Sequence, residues 1–263
     1  VTFVVKPLPA ARSVVARCAL WLAAFSACVT FYAFALTRLQ AVDGASGLAA
    51  LVAGLALAAL AALLGVVALV VVWTSGAKGG GRAFAAIVIA AAVLGGPAYV
   101  AASRIGAPAL VDVSTDLADP PRFERAGRDR GPSDLPAPPP VIPPAQAEAQ
   151  RAGYPDIGPL RLALPANDVA NLAIGLIDDR GWRLLGPTAF PRGGPPTGRI
   201  EAVARTPLLG LQNDVSIRIR EDGEGARIDM RSASRIGRAD FGANADRIRA
   251  FFADLTAAAN ATP

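Results

Sequence analysis

The sequence contains no histidine, only two cysteines, one methionine, and no lysine beyond Lys78. Each shortage removes a class of chemistry. Without imidazole there is no Ser-His-Asp triad, no Cys-His pair, no His-ligated zinc or haem and no histidine pH switch. Both cysteines, Cys18 and Cys28, fall in one apolar run and read as small apolar filler, so no disulfide staples the C-terminal half. Aromatics make up only 6% of the 263 residues, yet 53% are hydrophobic, too many for an ordinary soluble chain. A membrane-embedded part is therefore expected.

Acidic residues are nearly missing from the first 102 positions. Lys6, Arg12, Arg17, Arg38, Lys78 and Arg82 face Asp43 alone there, which accounts for the whole net charge of +5. From Ser103 onward twenty arginines balance twenty carboxylates, so the chain carries no bulk basic patch and no nucleic-acid partner is expected.

Three stretches lack charge altogether and are long enough to cross a bilayer, which needs about 20 apolar helical residues: 18–36, 48–73 and 83–102. Trp21, Phe31, Tyr32, Trp73 and Tyr99 lie near their ends, where interfacial aromatics belong. Cations precede the first span and fill the loop between the second and third, so those segments are expected in the cytoplasm of a bacterial inner membrane. An odd number of spans then carries everything after Ser103 to the extracytoplasmic side. A cleaved signal peptide ending near Ala33-Phe34-Ala35 is the alternative for the first span, with the same fate for the C-terminal half. Val1 reads as a literal translation of an alternative start codon.

The spans look like an anchor. Ala and Gly dominate the second and third, suiting close helix approach, and no intramembrane ion marks a transport path. The glycine-rich loop Gly76–Arg82 lacks P-loop spacing.

Residues 103–153 read as a juxtamembrane and Pro-rich extended segment. The run Pro136-Ala-Pro-Pro-Pro-Val-Ile-Pro-Pro144 favours a polyproline stalk or wrap of about 28 Å. A globular part follows over 154–263. Leu160–Leu164 reads as a short strand, and Asn167 as the cap of a helix with Val169, Leu172, Ala173, Leu176 and Ile177 on one stripe, stopped by Gly181. Strands are expected over 182–185, 199–205, 214–220 and 226–232. In the last two, Val215, Ile217, Ile219, Ile228 and Met230 alternate with Arg, Asp and Ser, giving one apolar and one ionic face. A final helix starts near Asn244 with Ile248, Phe251, Phe252 and Leu255 on one side. The expected architecture is a three-helix transmembrane region plus an α+β domain. In that domain an antiparallel sheet of four or five strands carries two helices on one face, in the order (β)αββββα.

The segment Arg231-Ser-Ala-Ser-Arg-Ile-Gly-Arg-Ala-Asp-Phe-Gly-Ala-Asn-Ala-Asp-Arg-Ile248 resembles the signature of a bacterial and plastid family known as domain of unknown function 1499. Asp112–Asp116, Pro120-Pro-Arg-Phe123, Tyr154-Pro-Asp-Ile157, Gly181-Trp182 and Asn213–Arg218 support the resemblance, over residues 111–255. It implies a single domain with 111–123 packed onto it, and no known reaction.

As chemistry, Arg231, Arg235, Arg238 and Arg247 offer guanidinium forks for phosphate or carboxylate. Ser232, Ser234 and Asn244 add polar groups at a helix N-terminus that attracts anions. Asp240 is counted with this candidate site; the alternative is mutual satisfaction, with Asp240 bridging Arg231 or Arg235 and Asn244 capping the helix. Asp112, Ser114, Thr115 and Asp116 are candidate partners from the juxtamembrane segment. Ser232 and Ser234 have no histidine or nearby lysine to activate them, so no catalytic residue, metal or cofactor is assigned. The expected role is non-catalytic binding of an anionic small molecule, a membrane lipid headgroup or an envelope protein. The alternatives are a structural scaffold factor and a hydrolase of unrecognised type.

Overall fold

The computed structural model describes residues 11–106, 108–186 and 197–261; the expectations placed on Val1 and Lys6 lie outside them. The chain divides into two compact units, with the boundary between Ser103 and Arg104.

The first unit is three long helices: α1 (Val14–Arg38), α2 (Gly44–Ser75) and α3 (Gly80–Ser103), each long and apolar enough to cross a membrane. Ser13 caps α1 by accepting from the Ala16 N–H, and Asp43 caps α2 by accepting from Ser46. Along α2 the buried positions are Gly47, Leu51, Gly54, Ala58, Ala61, Gly65 and Ala68, stepping alternately by four and three residues. Ala16, Ala19, Ala23 and Ser26 repeat that step on α1, and Ala83, Ala86 and Ala90 on α3. A spacing averaging about 3.5 keeps one seam facing its neighbours, and small side chains let the backbones approach. The large residues point outward: Trp21, Phe25, Leu63 and Trp73 are all exposed, Trp73 by 89%. An apolar exterior around a small-residue seam is the distribution that lipid selects, and these are transmembrane helices of a membrane protein.

The second unit begins with β1 (Asp112–Ser114), α4 (Arg125–Asp129), α5 (Pro144–Gly153) and β2 (Leu160–Leu162). It continues through α6 (Ala166–Asp179), β3 (Arg183–Leu184), β4 (Thr197–Arg205), β5 (Gln212–Asp222), β6 (Gly225–Ser234) and α7 (Ala243–Ala261). All pairings are antiparallel in the order β1-β6-β5-β4-β3, and β2 joins β6 beyond β1. The sheet therefore has six strands, the extra one being β1. Its inner face carries Ile200, Ala202, Val215, Ile217, Ile219, Ile228 and Met230, packed against Val169, Ala173 and Ile177 of α6 and Ile248, Phe251 and Leu255 of α7. Two helices thus cover one face of an antiparallel sheet.

Two local expectations need correction. Helix α6 starts one residue before Asn167, with Pro165 at the cap position and no side-chain cap bond. The segment read as extended contains α4 and α5, because its few apolar and amide groups find partners on the domain. Ile142 and Ala147 are buried, and Gln150 bonds both Ser114 N and Ser114 O (3.1 and 2.7 Å), closing the free edge of β1 as another strand would. Residues 115–143 strap the outer, ionic face of the sheet.

Candidate functional site

Strand β6 splits the arginine–serine segment, because successive side chains on a strand point to opposite faces. Arg231 and Arg235 face outward, under the strap. Arg231 is fully buried; its Nε and Nη2 reach the two Asp112 oxygens at 2.9 and 2.6 Å, and Nη2 also donates to Pro139 O at 3.0 Å. Arg235 donates from Nε to Asp214 (2.7 Å), from Nη2 to Asp129 (2.8 Å) and from Nη1 to Gln212 (3.1 Å). Those forks are occupied by the protein's own groups.

Ser232 and Ser234 face inward, toward α7. Ser232 donates to Asn244 Oδ1 (2.8 Å), Ser234 donates to Asn213 Oδ1 (3.0 Å), and Asn244 Nδ2 donates to Ser234 (3.0 Å) and to Val111 O (3.2 Å). Asn244 is therefore an interior bridge, while Asp240 caps α7 by accepting from Gly242 N and Asn244 N (2.8 and 2.7 Å). Burial pushes the Asp240 carboxyl up despite those two bonds. Arg247 donates to Ser232 and to Asn244 (2.9 and 2.5 Å), and among the described residues it forms no ion pair. Burial pushes its guanidinium down to about 10. Arg238 is exposed.

The juxtamembrane residues are all on the domain. Asp112 pairs with Arg231, Ser114 bonds Asp116 O, and Thr115 Oγ1 accepts from Met230 N (2.8 Å). Asp116 ties the strap to the sheet by pairing with Arg227 (2.9 Å) and Arg218 (3.3 Å).

Asp116 also leads to a feature that lies outside the arginine–serine segment. The register sets Arg199 of β4 directly across from Arg218 of β5, and Arg220 of β5 directly across from Arg227 of β6. Like charges opposite one another destabilise a sheet unless anions intervene. Asp229, wholly buried, pairs with Arg218, Arg220 and Arg227 at 3.0, 2.7 and 3.1 Å. The strap adds Asp119, which reaches Arg218 at 2.8 Å and Arg220 at 3.9 Å, and Glu124, which pairs with Arg199. Where strap and sheet meet, Asp119, Pro120, Arg122, Arg199, Arg218 and Arg220 line an open groove of about 320 Å³. That is within the roughly 300–1,000 Å³ of small-molecule sites. The Arg122 side chain is exposed and makes no ion pair among the described residues, and Arg199 Nε is buried without a hydrogen-bond partner. Four guanidinium groups line this groove; Arg199, Arg218 and Arg220 are paired with carboxylates and Arg122 is left to hold an anion beside them.

A profile of the family described as "Protein of unknown function (DUF1499)" matches residues 112–255. The chain belongs to this family. The DUF1499 match opens at Asp112, so the strap is an integral piece of the family's domain, and the match contains every residue lining the groove. No curated protein and no solved structure matches the chain. Among the described residues no group of three His, Cys, Asp or Glu side chains could hold a metal ion.

Of the groove residues, Arg122 stands in the sequence only as part of a family motif, Arg218 both as the end of another such motif and as the polar half of an alternating strand, and Arg220 only as the latter. The available signal was the alternation in β4 and β5, which sets Arg199, Arg218 and Arg220 on the ionic face. Their convergence depends on a register that sequence spacing does not encode.

Proposed function

We propose that this DUF1499 protein is a bacterial inner-membrane protein whose extracytoplasmic domain binds an anionic group, without chemistry, in the groove of Arg122, Arg199, Arg218 and Arg220. The observation that carries the reading is a guanidinium left over on this face: Arg122, Arg199, Arg218, Arg220 and Arg227 stand beside Asp116, Asp119, Glu124 and Asp229, and Arg122, exposed at the groove, makes no ion pair among the described residues. Arginine forks in a partly desolvated cleft recognise anions strongly. The non-catalytic part rests on Ser232 and Ser234, whose buried hydroxyls donate to amide oxygens with no base beside them. Orientation rests on cation placement. Lys78 N donates to Ala11 O and Ser13 N donates to Lys78 O (both 2.9 Å), which holds Arg12, Lys78 and the nearby Arg17 and Arg82 at one end of the helix bundle. Such an end faces the cytoplasm.

The test is calorimetric titration of sulfate into the detergent-solubilised full chain. Saturable binding weakened about fivefold by Arg122→Gln is expected; binding indifferent to Arg122 and Arg199 substitutions rejects the groove. Reporter fusions at the C-terminus and in the loop around Lys78 should report opposite sides of the membrane.

A structural, scaffold reading is favoured by a different observation: Arg231 and Arg235 are committed to the protein's own carboxylates, carbonyls and Gln212. It predicts no anion affinity at all.

A further inference from the structure

We infer that the anion taken by the arginine groove is a phosphate group, and that the Asp119 carboxylate holds its place as an internal counter-ion that the phosphate displaces. This rests on the anion-binding reading of the same groove.

The donors come from three segments. Arg122 is on the strap, Arg199 on β4, and Arg218 and Arg220 are two residues apart on one face of β5. A carboxylate is planar and presents two oxygens, and one or two guanidinium forks saturate it. A phosphate presents three terminal oxygens in a tetrahedral array and carries close to two charges at neutral pH. Donors arriving from separate segments and outnumbering a carboxylate's two oxygens match the second geometry. One donor stands ready, the exposed Arg122 guanidinium; Arg199 Nε is buried and has no hydrogen-bond partner.

Asp119 is set apart from the other carboxylates on this face. Asp229 is wholly buried and Asp116 nearly so, whereas the Asp119 side chain is 63% exposed while paired with Arg218 and Arg220. An exposed ion pair is worth little net free energy, so its carboxylate can leave for water at small cost. Pro120 and Pro121 follow directly, restricting the backbone and holding the carboxylate at the mouth of the groove. With Asp119 turned outward, Arg218 and Arg220 keep Asp116 and Asp229 and Arg199 keeps Glu124, while each of Arg218 and Arg220 loses one anionic partner on the groove side, next to the unpaired Arg122.

The experiment titrates inorganic phosphate, and separately acetate, into the full chain in phosphatidylcholine nanodiscs, for wild type, Asp119→Asn and Arg122→Gln. Both substituted positions are exposed, and an unchanged thermal midpoint checks the fold. Expected are phosphate binding that exceeds acetate binding, a roughly fivefold gain for Asp119→Asn, and a loss of similar size for Arg122→Gln. If Asp119→Asn leaves phosphate affinity unchanged while Arg122→Gln weakens it, the displaced counter-ion is wrong and the anion site stands. Equal affinity for acetate and phosphate overturns the choice of phosphate. Indifference to Arg122→Gln and to Asp119→Asn removes both readings. Repeating the titration with phosphatidic acid in the nanodisc separates the sources: competition with added phosphate identifies a lipid headgroup, and its absence identifies a soluble phosphate compound.

Discussion

Asp112 and Arg231 are 119 positions apart in the chain and meet in a two-pronged ion pair, at 2.9 and 2.6 Å, with the arginine wholly buried. The pair fastens the start of the strap to the centre of the sheet's ionic face. Arg231 also lies over the Phe123 ring, its guanidinium carbon 5.2 Å from the centroid, so the return of the strap is held by the same side chain.

Breaking one half of that pair leaves an uncompensated buried charge. Asp112→Ala should destabilise the domain by about 3–5 kcal/mol. The double variant Asp112→Leu/Arg231→Met, which removes both charges and keeps the volume, should be less destabilised than either single change. Denaturant melts of the four proteins check the order; a double variant worse than Asp112→Ala would show that the pair is worth more than its desolvation.

Gly225 begins β6 where β2 crosses it, and a Cβ there would meet Leu162 O at 2.3 Å. That oxygen is backbone and cannot swing aside. Gly225→Ala should cost about 2 kcal/mol, the scale of overpacking, and should raise amide exchange first along Leu160–Leu162.

The architecture was legible in the sequence wherever a period repeats. The charge-free runs mark the spans, and the alternation from Val215 to Met230 marks the inner face of the sheet. What hid was tertiary. The Pro-rich run reads equally as a stalk or a wrap because proline suits an extended chain in either setting, and only the carboxylate partners of Arg218, Arg231 and Arg235 show why the strap lies down on the sheet. Arg231 and Ser232 look like members of one cluster when read in a line, yet one residue of strand sends them to opposite faces. The groove arginines were invisible as a group because Arg122 and Arg199 are separated by most of the domain.

Asp129 and Asp240 pull stability in opposite directions with pH. The Arg183 guanidinium, helped by Arg235, holds the Asp129 carboxyl below its usual range against the effect of burial. Its contribution is present above the ordinary aspartate pKa of about 3.9 and is lost as pH falls through the lowered value. Burial raises Asp240, so its contribution is full below about 3.9 and is lost as pH rises through the raised value. Asp129→Asn should flatten the acid limb of a stability–pH curve. Asp240→Asn, which keeps a capping oxygen, should remove the loss on the neutral side and leave the protein at least as stable at pH 7.

In the membrane unit, one close approach along the seam sets Gly54 against Thr30. A Cβ on Gly54 would lie 2.4 Å from Thr30 Oγ1 and 3.2 Å from both the Thr30 Cα and N, so a rotamer change relieves the first contact and leaves the backbone contacts in place. Lipid offers no hydrophobic drive to reseat α1 and α2 at a larger separation, because acyl chains are as apolar as the helices. Gly54→Val should therefore loosen this helix pair, lowering the temperature at which the detergent-solubilised chain aggregates and speeding proteolysis within Gly44–Ser75. A Cβ at Gly95 would meet nothing within 4 Å, so Gly95→Val serves as the control for added bulk alone. If both variants behave alike, the small-residue seam is not what holds α1 to α2.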